Sequence, residues 1–511
     1  MNTQPQTFLI TLFLAAGSAL GQAPTPTPPP VPAKASPLIE FSDKLVRLES
    51  AGVSMKLPLG CHATSSTAVD SSSVQVMPED STWLVQIESP RSTRADMSLQ
   101  EVCDALINQL LLRSAHLSDQ KTAKHDSGFE FGKYSEAVRG QIVERNDDLK
   151  ITGWPPAARI YVETYPGDIP GKEAGLGIIR GFTIVKVASD RYITFEFRTP
   201  KPNFADARIM YETMVATSTF ADPATVQTGR KSALEGGLQI MQRVDADALK
   251  TIVDALPERW QRLYVPSKTG AAADDTEIGY RRLRFHWGKR GEIDASRPEA
   301  QYNATDRQEG IVILLDARAL DVDMLSPTKK VRRIIDSASA FFMTPDRLQE
   351  TWTIRNAIRD GKTTSQITEI GSRNGTDMVV SVTANGQTQQ VRPIIQGELA
   401  SSGYLSQAES RLLPQILLLN KVSTEYGFYV WNSTSQTIKL RRDVLDESTP
   451  GVWKLTSRAT EDSKAEISTF NERGDFIRTE LLNDSGDTMY WEPTDLQKLL
   501  DLWKQKGLPT D

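Results

Sequence analysis

With 65 acidic against 59 basic side chains in 511 residues, the chain carries a net charge of −6 and lacks the positive field needed to displace counterions from a nucleic acid. Its 39% hydrophobic and 24% charged content is that of a soluble globular protein, with room for two ordinary domains or one large one. Four histidines, none paired at i, i+4 or in an HxH pattern, argue against imidazole-based zinc, copper or haem chemistry, and no cofactor is expected.

Residues 8–20 (FLITLFLAAGSAL) form an apolar run followed by the small residues Gly21 and Ala23. A run of this length falls short of the ~20 residues that span a bilayer, so residues 1–23 read as a cleaved secretory signal, and the protein is expected in the periplasm or outside the cell. The leading MNTQPQT has no Lys or Arg, unlike the usual signal, and cleavage after Gly21 and after Ala23 both fit. Residues 24–37 alternate proline with small residues and predict an extended linker of ~3 Å per residue.

A first domain is expected over residues 38–223. A hairpin turns at Gly52 into the alternating Val53-Ser54-Met55-Lys56-Leu57, and Trp83-Leu84-Val85-Gln86-Ile87 is a second strand signal. Ser98 and Glu101 make a capping box, followed by Leu99, Val102, Cys103, Leu106 and Leu110 at helical spacing. Strands are predicted at 157–164, 175–188 and 192–198, then an amphipathic helix over 204–219. Cys61 and Cys103 are the only cysteines. An oxidising compartment permits one disulfide between them, worth ~3–4 kcal/mol if unstrained. Two separate buried thiols are the alternative.

The phrases GVSMKLPLG at 52–60, MSLQEVCDAL at 97–106, DRYITFEFRTP at 190–200 and MYETMVATSTF at 210–220 together resemble the PsbP-like α/β-sandwich superfamily. Cys61 stands where members often carry an aromatic residue. The resemblance implies an antiparallel sheet with flanking helices that binds other macromolecules. It implies no shared active site, so no functional residue is carried over.

Residues 225–234 are polar and read as the boundary to a second domain over 235–511. One helix is predicted over 239–256, ended by Pro257. Short strands follow at 260–265, 277–287, 310–316, 347–356, 364–370, 377–384 and 387–395, with Asn385-Gly386 as a two-residue hairpin turn. A helix over 407–419 is expected to be kinked or broken at Pro414. Strands resume at 426–431, 436–440, 452–458, 464–470, 476–482 and 488–491 before a last helix, expected to be capped by Thr494 with Gln497. The fold class is therefore α+β, with an N-terminal antiparallel sheet flanked by helices. A large antiparallel β-meander follows, curled as a half-barrel around a packed helix and closed by a C-terminal helix. This second part is loosely similar to the LolA-type half-barrel carriers of the bacterial envelope.

No GxSxG, P-loop or GxGxxG is present, and Asp274-Asp275 and Asp321-Val322-Asp323 match no calcium loop, so no catalytic or metal-ligating residue is assigned. The basic runs Arg281-Arg282-Leu283-Arg284 and Lys329 to Arg333 read as solvated faces. Trp352, Tyr426, Phe428, Trp431, Trp453 and Trp491 read either as core or as an aromatic face that holds a ligand. The expected function is that of an exported, non-enzymatic envelope protein that binds a protein partner, an apolar or extended ligand, or both. A carboxylate-dependent hydrolase of envelope polymers and a purely structural surface protein are the alternatives.

Overall fold

The computed structural model describes residues 39–48, 52–68, 71–90, 94, 96–112, 138–166, 177–267, 269–270, 272–322, 331–361, 363–393, 395, 403–434, 436–461, 463–482 and 487–509. The expected signal and linker lie outside them. Two compact units divide between Gly229 and Arg230.

In the first unit, β1 (Phe41–Leu48), β2 (Val53–Pro58) and β10 (Thr219–Phe220) form a small sheet. A seven-stranded antiparallel sheet runs in the order β3-β4-β5-β9-β8-β7-β6. Its strands are β3 (Cys61–Ala68), β4 (Ser71–Pro78), β5 (Leu84–Glu88), β6 (Val138–Leu149), β7 (Ala157–Pro166), β8 (Ile178–Lys186) and β9 (Tyr192–Pro200). Period-two alternation gives this sheet two apolar faces. Helix α1 (Leu99–Leu112) packs Val102, Cys103 and Leu106 against Ala158, Ile160, Phe182 and Ile184. Helix α2 (Phe204–Ala216) packs Ala207, Tyr211 and Met214 with Tyr161, Phe195 and Phe197. The expected capping box opens α1: Glu101 N donates to Ser98 Oγ (3.2 Å), and Ser98 N donates back to Glu101 Oε2 (2.7 Å).

Helix α3 (Pro223–Arg243) runs through the stretch expected to be a polar boundary. The single helix expected over 239–256 is two, because Asp245 caps a new helix, α4 (Ala246–Ala255), by accepting from Ala248 N at 2.9 Å.

The second unit is built on one 14-stranded antiparallel sheet. Eight strands follow in sequence: β11 (Arg259–Val265), β12 (Thr276–Lys289), β13 (Glu309–Val322), β14 (Val331–Met343), β15 (Gln349–Asp360), β16 (Thr363–Asn374), β17 (Asp377–Ala384) and β18 (Gln387–Val391). Helix α5 (Gln407–Asn420) then leads into β19 (Thr424–Asn432), β20 (Thr437–Thr449), β21 (Val452–Arg458), β22 (Glu466–Phe470), β23 (Phe476–Leu482) and β24 (Thr488–Thr494). The two meanders are joined by the pairing of β11 with β24, which leaves β18 and β19 as the edges. Helix α5 links those two edges. The hairpin turn at Asn385-Gly386 has φ of +52° and +77°, the left-handed pair that a two-residue turn requires.

On one face of this sheet, Ile311, Ile313, Leu315, Phe341, Trp352, Val380, Phe428, Leu445 and Leu455 enclose Leu412, Leu413, Ile416 and Leu417 of α5. Helix α4 adds Leu249, Ile252 and Val253. On the other face lies α6 (Leu496–Gln505), with Leu499 and Trp503 against Leu320, Trp260, Tyr280 and Ile334. Its N-cap is Asp495, which accepts from Lys498 N at 2.8 Å, and not the expected Thr494.

A candidate ligand-binding pocket in the β-rich unit

The N-terminus of α5 is fixed by buried polar groups. Ser406 Oγ accepts from Glu409 N (3.0 Å) while Glu409 Oε2 accepts from Ser406 N (3.0 Å), a reciprocal cap. Glu350 on β15 accepts from Gln407 N and from Arg373 Nε, each at 2.8 Å. One turn of sheet away, Glu369 Oε1 accepts from Trp352 Nε1 (2.7 Å), Trp431 Nε1 (3.0 Å) and Ser433 Oγ (2.9 Å). Burial raises the pKa of both carboxyls, opposed at Glu350 by Arg373 and at Glu369 only by hydrogen bonds.

These contacts settle where the aromatic residues lie. Trp352, Tyr426, Phe428, Trp431 and Trp453 are buried in the core around α5, and Trp491 is buried in an adjacent cluster with Leu263 and Met489. The expected ligand-holding aromatic face is therefore filled by the protein's own helix and sheet. The tightness at Trp352 is set by Gly371 opposite it on β16: a Cβ there would stand 2.0 Å from the indole ring.

Of the two states expected for Cys61 and Cys103, the structure has the separate thiols. Both are free thiols, Cys61 half-buried on β3 and Cys103 buried on α1, and they belong to different apolar clusters of the seven-stranded sheet. Burial pushes the Cys61 thiol up to about 11 and that of Cys103 up to about 12.

Space remains at the C-terminal half of α5. There a cavity of about 100 Å³ is lined by Leu283, Phe285, Phe470, Phe476 and Pro414 as its apolar part. Its polar lining is Arg259, Gln261, Arg281, Arg411, Gln415, Ser468 and Thr479. Strand register explains the set. Arg281 is in phase with Leu283 and Phe285 on β12, and the pairs Gln261–Arg281 and Arg259–Leu283 bring β11 into line. Ser468 and Thr479 are paired on β22 and β23, their hydroxyls 2.7 Å apart.

The guanidinium groups are poorly neutralised. Arg281 donates from Nε to Gln261 Oε1 and lies 4.2 Å from the centroid of the Trp491 ring. Arg411 lies 4.9 Å from the Phe341 centroid, and its Nε has no hydrogen-bond partner, nor has Gln415 Nε2. Neighbouring Arg441 is held by Asp443 at 2.7 and 2.9 Å. Glu466, at the exposed end of β22, is the carboxylate that acts on both Arg281 and Arg411. Burial pulls the pKa of Arg281 and of Arg411 down to about 10; mutual repulsion adds to this at Arg281, and repulsion from Arg441 does so at Arg411. Guanidinium groups nonetheless stay protonated at neutral pH, so the cavity keeps its positive charge.

The run Arg281 to Arg284 is expected to form one solvated face. In the structure they alternate: Arg282 and Arg284 face outward, paired to Glu258 and Asp316 at 2.9 Å, while Arg281 faces inward. The signal was present, since Arg281 shares its phase with Leu283, Phe285 and Trp287. The acidic pairs are structural where described: Asp275 pairs with Arg262 at 2.9 Å and Asp321 with Arg333 at 3.6 Å. Asp323, Lys329 and Lys330 lie outside the described residues, among which no group of His, Cys, Asp and Glu is arranged to hold a metal. No described helix is long and apolar enough to cross a membrane.

No family model matches the chain, and no curated protein matches it. Two solved structures show a weak likeness of fold. One is a β-barrel-like protein of the domain of unknown function DUF1849 from Brucella abortus, at 9% identity and a TM-score of 0.29, covering 47% of this chain and 95% of that one. The other is the cyanobacterial PsbP of Synechocystis sp. PCC 6803, at 9% identity and a TM-score of 0.23, covering 37% of this chain and 97% of that one.

Proposed function

We propose that this is an exported, non-enzymatic envelope protein whose β-rich unit binds an apolar or extended ligand against the face of the sheet that carries α5. The observation that carries the reading is the cavity beside α5, with its floor of Leu283, Phe285, Phe470 and Phe476. In this reading the half-barrel works as the LolA-type carriers are organised, and the PsbP-like first unit docks a protein partner. At about 100 Å³ the cavity admits part of a ligand, so a longer chain enters by displacing the C-terminal half of α5, where Pro414 interrupts the hydrogen-bond ladder.

The alternative of a two-carboxylate hydrolase gains no support from the site. In the β-rich unit the carboxyls of raised pKa, Glu350 and Glu369, are sealed in the core at 1% and 2% exposure, and the cavity lining contains no acid. Native mass spectrometry of the mature protein from its own envelope fraction tests the reading. A discrete co-purifying mass lost on denaturation is the expected result, and a clean apo mass would count against a tight carrier.

A further inference from the structure

We infer that the cavity beside α5 is an anion site, in which Arg259, Arg281 and Arg411 receive a phosphate or carboxylate group of the ligand. The location of the site rests on the binding reading above, but its charge rests on independent observations. Three guanidinium groups from two strands and a helix converge on one cavity whose lining contains no carboxylate. Arg411 Nε and Gln415 Nε2 are buried donors without a partner, and the carboxylates that act on Arg259 and Arg411, Asp475 and Glu466, stand outside the lining. Elsewhere in the same interior, buried arginines are closely matched, Arg373 with Glu350 and Arg441 with Asp443. Like charges gathered on an apolar floor oppose folding, and an incoming anion removes both the repulsion and the unmet donors.

Size and surroundings define the ligand class further. About 100 Å³ is room for a few waters, hence for one oxyanion group and not for a whole lipid. The hydroxyls of Ser468 and Thr479 and the amides of Gln261 and Gln415 stand ready as further partners. Phe470 and Phe476 would receive the first apolar atoms attached to the anion. A free oxyanion and the head of an anionic amphiphile share this chemistry.

Calorimetric titration of the full mature chain separates them, using inorganic phosphate, dihexanoyl phosphatidic acid and uncharged dihexanoylglycerol as probes. Phosphate binding is expected, and it should weaken at least tenfold in Arg281→Gln and in Arg411→Gln while Arg282→Gln, on the outer face, leaves it unchanged. Each inner variant loses a ring contact along with a repelled charge, so its melting curve is recorded beside the titration, and the loss of binding is read at a temperature where the variant is folded. Phosphatidic acid binding at least tenfold tighter than phosphate identifies an amphiphile head, and equal binding identifies a free anion. Absence of binding by both anions, equal binding of the uncharged glyceride, or full binding by both inner variants would overturn the inference. The two readings fail separately: a neutral co-purifying ligand with no phosphate binding sinks the anion site alone, and phosphate binding without any co-purifying ligand sinks the tight carrier alone.

Discussion

Single residues in the β-rich interior make opposite bargains with burial. Gly371 faces the Trp352 ring so closely that Gly371→Ala must displace it, and overpacking of this kind costs about 1–3 kcal/mol. The urea midpoint should fall accordingly, and an unchanged midpoint would show that the ring can move. Glu369 is the converse case, a carboxyl buried without a cation, its pKa raised by desolvation. A raised folded-state pKa means that the contribution to stability is fully present below the ordinary carboxyl range and is lost as pH rises through the folded value. Glu369→Gln should therefore match the parent near pH 4 and melt higher near pH 8, and parallel curves at both pH values would refute this. At Cys61 and Cys103, alkylation after unfolding without reductant should add two adducts; none would mean that the bridge forms.

Among the elements, α5 carries the most consequence, because it plugs one face of the sheet and links its two edges. Its cap is fully buried, so Ser406→Ala should cost about 1–2 kcal/mol in chemical denaturation, at the upper end for such a change. The helix was readable from the sequence, as were most strands with clean alternation, but its Ser406 cap was not, and the expected break at Pro414 is absent from a helix that runs on to Asn420. The failures share a cause. β3 (CHATSSTA), β4 (SSSVQVMP) and β6 (VRGQIVERNDDL) lie at or next to the ends of their sheet and are too polar to alternate visibly, although pairing with neighbours makes them strands. β14 (VRRIIDSASAFFM) changes character along its length, and α3 is too poor in apolar residues to show a stripe. At the site, aromatic content pointed to the core and not to the cavity. The cavity was marked instead by arginine in phase with apolar neighbours, a pattern easily taken for surface charge.

At the scale of the whole molecule, the two units have separate cores, and Gly371 belongs to only one of them. Scanning calorimetry should resolve two transitions, of which Gly371→Ala lowers one and leaves the other in place. A single transition shifted as a whole would show that the units unfold together.

The pairing of β11 with β24 has a consequence for how the chain is made. Within each meander every strand finds its partner next along the chain, so most of the sheet can assemble from local hairpins as it emerges. The outer edge of β11 is different: its partner is the last strand of all, and until β24 arrives a row of backbone donors and acceptors stands open to any passing strand. A ribosome stalled before β24, or a truncation that removes it, would thus release a nearly complete sheet with an adhesive seam, and aggregation of such fragments would begin at β11.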